Sequence, residues 1–257
     1  MIRPGLVSVT FVGRSCSEVI ELAKAAGLEA IEWHGRMHVP HGDLDSAERV
    51  GQATLDAGLQ IAAYGSYFVL GASENEGLPF VTVLRTAKML GAPVIRVWAG
   101  QASPEVAGAK TRTVVSDQAR RTADQAAQEG ITLVFEFHPD TLTETGESCR
   151  TLIETVDHPN VSTYWQPDPR LDKDQNLAQL RCTLPWLAGL HVFHWGPTDK
   201  DRHPLADGQS DWAAYLALAR QCDRPLYTLL EFVKGGTIAQ FQADAVTLHD
   251  LLGEEDA

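Results

Sequence analysis

The sequence predicts a single (β/α)8 barrel, and three observations carry that reading. Eight strand-length apolar runs alternate with eight helix-length amphipathic runs over residues 1–252, the pattern of parallel strands joined by right-handed crossovers. Eight such units in about 250 residues match the size of this barrel, and no linker or low-complexity tract divides them. Polar residues gather at the C-terminal ends of the strand-like runs. A doubly wound sheet shares the alternation but normally carries a glycine-rich turn after its first strand. Here that turn reads FVGRSCS, not GxGxxG.

The elements follow from local signals. Leu6–Phe11 is the first strand, followed by SCSEVIELAKAAG, an amphipathic helix whose Gly27 reads as a C-cap. Leu28–His34 is the second strand, with a helix over Ser46–Ala57 closed by Gly58. Leu59–Tyr64 and a helix over Phe80–Leu90 come next, then Pro93–Trp98 and a helix within Pro104–Gln128. Ile131–Phe137 precedes a helix at Glu147–Val156, and Val161–Gln166 precedes a weaker one at Asn176–Leu184. Leu187–Trp195 and Leu226–Val233 are the last strands, with helices at Asp211–Gln221 and Thr237–Leu252. Residues 253–257 read as a short, frayed acidic tail.

Composition narrows the function classes. The 257 residues are 44% hydrophobic and 21% charged, enough for a full core. A formal net charge of −13 argues against a surface that binds nucleic-acid phosphates. No stretch is long and apolar enough to span a membrane, and the N-terminus lacks the marks of a signal peptide, so a cytoplasmic protein is expected. Cys16, Cys149, Cys182 and Cys222 are scattered without a CxxC pair, which favours free thiols over disulfides or structural zinc.

The strand ends hold the candidate chemistry. They read IEWH, AAYGS, IRVWAG, FEFHP, TYWQPDP, HVFHW and LLEFV. Alternation along a strand puts Glu136 on one face with His138, Glu32 with His34, and Arg96 with Trp98. Gln166, His194 and Glu231 take the matching places on strands six to eight, and His191 is assigned to the opposite face, against the helices. Glu136, Gln166, His194 and Glu231 make an oxygen-rich set suited to one divalent cation: Mn2+ first, with Mg2+, Co2+ or Zn2+ as alternatives. A lone strand-end histidine is more often hydrogen-bonded structure, and a lone glutamate can simply pair with Arg96. The coincidence of four donors is what points to a metal.

These residues resemble the xylose-isomerase-like barrels, the superfamily of sugar-phosphate isomerases and epimerases and of endonuclease IV. GLEAIEWHG, AYGSYFVLG, LGAPVIRVWAG, the glutamate of LVFEFH, HVFHW, RHPLADGQSDW and LLEFV carry the resemblance across nearly the whole chain. It implies a metal held by residues of strands five to eight, at Glu136, the strand-six position, His194 and Glu231. Strand six departs from the pattern. Relatives show Asp followed three positions later by His, whereas this chain has Gln166 and Pro169, with Asp168 as the rival ligand. The strand-end histidines that hold extra zinc in endonuclease IV are missing, which argues against DNA repair.

The expected activity is isomerisation or epimerisation of a sugar, sugar phosphate or polyol through a metal-stabilised enediolate. Glu136 and Glu231 are the expected base and acid, with His138 as a substitute base. His34, Glu32, Tyr64, Trp98 and Arg202 are the expected substrate contacts, and Trp195 joins Tyr64 and Trp98 as an apolar wall. Lys234, Gly235 and Gly236 precede the last helix, where either a phosphate or a plain capped turn fits. A dehydratase of the inosose or dehydroshikimate type is the alternative on the same scaffold, and a metal-containing sugar-binding subunit is the non-enzymatic one. Pairing of two copies through barrel helices is a further implication of the resemblance.

Overall fold

The computed structural model describes residues 1–198 and 200–253, so residues 254–257 of the expected acidic tail lie outside the described residues. Eight parallel strands close into a barrel in chain order. They are β1 (Ile2–Val7), β2 (Ala30–His34), β3 (Gln60–Val69), β4 (Val94–Trp98), β5 (Thr132–Glu136), β6 (Val161–Trp165), β7 (Leu187–Val192) and β8 (Leu226–Leu230). One helix follows each strand: α1 (Cys16–Ala25), α2 (Leu44–Asp56), α3 (Phe80–Leu90), α4 (Ala109–Gln128), α5 (Gly146–Val156), α6 (Lys173–Thr183), α7 (Gln209–Ala219) and α8 (Ile238–Gly253). Their starts are written in the sequence. Ser15 and Glu18 form a reciprocal capping box on α1, and Asp172 and Gln175 form one on α6.

Alternation along each strand divides the apolar residues into two bodies. Leu6, Ile31, Ile95, Leu133, Leu190 and Val192 face outward and join the helices in the main core. Val7, Ala30, Ala63, Val134, Tyr164 and Leu229 fill the barrel interior. Burying each large side chain contributes roughly 1.5–3 kcal/mol. The interior is packed tightly around Tyr164. A Cβ on Gly189 would stand 2.8 Å from its ring, so β7 needs a glycine there.

The differences from the sequence expectation that shape the rim lie in β1, β3 and β7. β1 ends at Val7, and Ser8–Phe11 turns into a short 3-10 helix. There the Ser8 hydroxyl accepts the His34 backbone N–H at 2.8 Å. β3 runs on to Val69, but its pairing with β4 shifts between Gly65 and Phe68. That irregularity holds Tyr67 at a φ of 54° and turns its side chain toward the barrel mouth. β7 stops at Val192 and pairs with β8 so that Gly189 lies beside Tyr227 and His191 beside Leu229. Paired residues of parallel strands share a face, and Leu229 points inward, so His191 points inward too.

Candidate metal centre

The C-terminal rim brings four donors together. Glu136 ends β5, Gln166 follows β6, His191 lies in β7 and Glu231 follows β8. All four are buried. His191 Nδ1 stands 3.2 Å from Gln166 Oε1, 3.5 Å from Glu231 Oε2 and 3.6 Å from Glu136 Oε1. One donor atom each from Glu136, His191 and Glu231 fall within 4.8 Å of one another. Gln166 Nε2 donates to the Phe137 carbonyl at 2.6 Å, which leaves its oxygen facing His191. Arg96 and Trp98 both donate to Glu136 Oε2 and fix that carboxylate in place.

Charge tests whether this set fits a cation. With the imidazole neutral, the buried Glu32, Glu136 and Glu231 oppose the single buried guanidinium of Arg96. Two formal negative charges are left in a region where unpaired charge is costly. Four lone-pair donors that converge on one point with this surplus fit a divalent cation. The mixture of carboxylate, amide and imidazole suits Mn2+, Mg2+, Co2+ or Zn2+.

The structure corrects several assignments. His194, expected as the imidazole ligand, lies beyond the end of β7 and packs against Gly208, where an added Cβ would come within 2.5 Å of its Nδ1. Its ring centroid is 5.6 Å from that of His203, away from the donor cluster. His191 occupies the inward place instead. The carboxylate of Asp168, the rival ligand, binds Arg170 at 2.7 Å. Tyr64 points outward, with its hydroxyl donating to the Val39 carbonyl at 2.8 Å. Tyr67, missed in the sequence, takes the wall position expected of Tyr64.

Other expected contacts also find different work. Glu32 is fully buried and holds Arg96 Nε at 2.6 Å, so it cannot touch a substrate. Burial raises the Glu32 carboxyl, but Arg96 and His191 outweigh it and hold the pKa at about 2. His34 Nδ1 accepts backbone N–H groups from Arg36 and Met37 at 3.0 and 3.2 Å, which leaves its proton on Nε2. Burial, with His38 and Arg96 nearby, lowers its pKa to about 4, so His34 is a neutral donor rather than a base. Arg202 stacks over Phe232 and Trp195, with its guanidinium carbon 4.3 and 5.7 Å from the ring centroids.

His138 follows the end of β5 and lines the same cavity as Glu136, Gln166 and Glu231. Its Nδ1 lies 2.7 Å from the Pro139 carbonyl, which can only accept, so the proton sits on Nδ1 and Nε2 keeps a free lone pair. The ring lies over Trp98 at 4.7 Å between centroids. Above the donors opens a cavity of about 490 Å3, walled by Tyr67, Trp98, Phe137, Phe193, Trp195 and Phe232 and by four prolines. Tyr67 and Phe232 carry φ values of 54° and 49°. Such strain persists where surrounding structure enforces it, as around a binding site.

Gly65 shows how tightly the floor is built. A Cβ there would stand 2.5 Å from Glu32 Oε1 and 2.8 Å from Arg96 Nη2. Gly65→Ala is expected to destabilise the protein by about 1–3 kcal/mol, as overpacking generally does. Urea unfolding checks this, and a loss below about 0.5 kcal/mol would mean that the ion pair has room to move.

Comparison with known proteins agrees with this architecture. Over 198 residues the chain is 25% identical to a 3-dehydroshikimate dehydratase of Bacillus anthracis, covering 72% of this chain and 68% of that one. The crystal structure of a probable 3-DHS dehydratase from Bacillus anthracis, involved in petrobactin synthesis, superposes with a TM-score of 0.80 at 20% identity. That match covers 97% of this chain and 99% of the other. A D-psicose 3-epimerase of Clostridium cellulolyticum H10 gives a TM-score of 0.74 at 14% identity, covering 97% and 98%. Among the described residues no helix is long and apolar enough to cross a membrane. The family model of the xylose isomerase-like TIM barrel matches residues 20–235, most of the chain. The protein therefore belongs to the xylose isomerase-like TIM barrel family.

Proposed function

We propose that the protein is a divalent-metal-dependent lyase that removes water from a cyclic hydroxy-ketone of the 3-dehydroshikimate type. The cavity wall is the observation that carries this reading. Ten of the seventeen residues lining the cavity are aromatic or proline. Sugar hydroxyls pressed against such a wall lose water partners without replacement. A carbocycle with fewer hydroxyls than a sugar asks for fewer polar partners: Glu136, Gln166, Glu231 and His138 meet its ketone and hydroxyl, and Arg170 on the cavity wall suits a carboxylate. Similarity to the Bacillus anthracis dehydratase supports the same choice.

A divalent cation bound by Glu136, Gln166, His191 and Glu231 supplies Lewis-acid polarisation of a carbonyl oxygen, which acidifies the neighbouring C–H. His138 Nε2 then takes that proton. The electron pair left on carbon forms a C=C bond as the hydroxyl on the next carbon departs. Protonated His138 returns its proton to the leaving hydroxyl, so the substrate loses one water and the protein is unchanged. Tyr67, Trp98 and Trp195 hold the ring flat and keep bulk water from the reacting carbons.

A second reading, ranked first from the sequence, is isomerisation or epimerisation of a keto-sugar. The two carboxylates Glu136 and Glu231 favour it, since one can remove a proton and the other return one to carbon. Incubation of the Mn2+-loaded protein with 3-dehydroshikimate separates the two. The lyase should produce a new aromatic ultraviolet band and a product lighter by one water, lose activity with chelator, and regain it with added Mn2+. Unchanged 3-dehydroshikimate, together with solvent deuterium entering keto-sugars beside the carbonyl, would overturn it in favour of the epimerase.

A further inference from the structure

We propose that Glu32 is a positioning residue that sets two of the four cation donors from beneath, a role that rests on reading the cluster as a metal centre. Its two oxygens are used separately. Oε1 accepts from Arg96 Nε at 2.6 Å, and Oε2 stands 3.3 Å from His191 Nε2. A carboxylate oxygen has no hydrogen to give, so Nε2 carries the imidazole proton. Nδ1, which faces Glu136, Gln166 and Glu231, is left with the lone pair. Outer carboxylates hold the rings of metal-bound histidines in the same way.

The same carboxylate acts on a second donor through Arg96. With Nε held by Glu32, Nη1 reaches Glu136 and orients its oxygens. Glu32 and Arg96 are 0% and 1% exposed, so water does not compete for either. Gly65 packs against both groups, and even a methyl there would collide with them, so the pair has one arrangement open to it. Glu32 thus touches neither cation nor substrate and still fixes the tautomer of His191 and the aim of Glu136.

Calorimetric titration of Glu32→Gln and wild-type protein with Mn2+ alone tests the proposal. The variant is expected to bind Mn2+ about 10–100-fold more weakly, the range for lost outer partners. A second measurement reads the contact itself. In 15N-histidine-labelled protein loaded with Zn2+, the His191 Nε2–H resonance should lie far downfield in the wild type, as a bond to a carboxylate requires, and move upfield in Glu32→Gln. A role for Glu32 confined to packing would leave that resonance in place. Unchanged Mn2+ affinity in folded Glu32→Gln, or an unmoved His191 Nε2–H resonance, would overturn the proposal. Neither measurement involves a substrate, so this can fail while the lyase reading stands, and the reverse.

Discussion

Replacing His191 with alanine is expected to weaken Mn2+ binding by at least about 100-fold, beyond what outer partners contribute, and to abolish turnover with it. His194→Ala is expected to leave both nearly unchanged. The two residues lie three positions apart, and the sequence alone points to His194 as the ligand and sets His191 against the helices. His191 is fully buried, with Nδ1 3.2–3.6 Å from three oxygen donors. His194 rests against Gly208 and His203 outside the cluster. The alanine at 191 would also leave Glu32 short of a donor. Thermal unfolding should therefore accompany the calorimetry, to separate lost binding from lost structure. Equal metal affinity in both variants, or a larger loss at His194, would place the imidazole ligand elsewhere and undo the donor set.

The swap of His194 for His191 shows where sequence reasoning reaches its limit. The barrel was legible because eight alternations and glycine caps are local signals that agree with one another. Glu136, Gln166 and Glu231 were placed on the inward face because each sits near the end of a strand whose alternation could be counted from a polar residue. β7 offers no such anchor. Its strand is buried on both faces, so Leu190 and Val192 facing the helices look no different from residues facing the interior. Phase there comes from the pairing of His191 with Leu229 on β8, a contact far away in sequence. Tyr67 was hidden for a related reason. It is turned inward by a pairing shift in β3, and the run YGSYFV does not announce one. The Gly65 and Ser66 that precede it were the available hint.

Glu32 makes a different point. Its place on the inward face was readable, but its depth was not. A glutamate at a strand end reads as a substrate contact when the rim is pictured as a single ring. In the folded barrel Glu32 lies wholly inside, sharing Arg96 with Glu136. The polar rim is therefore two tiers: a lower tier of Glu32, Arg96 and His191 without solvent access, and an upper tier of Glu136, Gln166 and Glu231 that opens to the cavity. Sequence patterns resolve faces, not tiers.

The upper tier leads to the second large expected effect, at His138. His138→Gln should lower turnover by about 100- to 10,000-fold, the contribution of a positioned general base, while Mn2+ binding stays at the wild-type level. The side chain is not among the four donors, and its Nε2 lone pair is free because Nδ1–H is given to Pro139. Burial lowers its pKa from the usual 6.5, although the Pro139 hydrogen bond opposes this. The direction of the pH effect follows from that shift. A base works only when neutral, and a lowered pKa keeps His138 neutral further into the acid range. The wild-type rate should thus be flat through neutrality and fall only as the pH drops below that lowered value. In His138→Gln the residual rate should lose that acid limb, because glutamine does not titrate. If the variant keeps both the limb and most of the rate, proton removal belongs to a carboxylate, with Glu231 next in line. That outcome would also favour the two-glutamate epimerase reading over the lyase, since returning the proton to the leaving hydroxyl depends on an imidazole that can hold it.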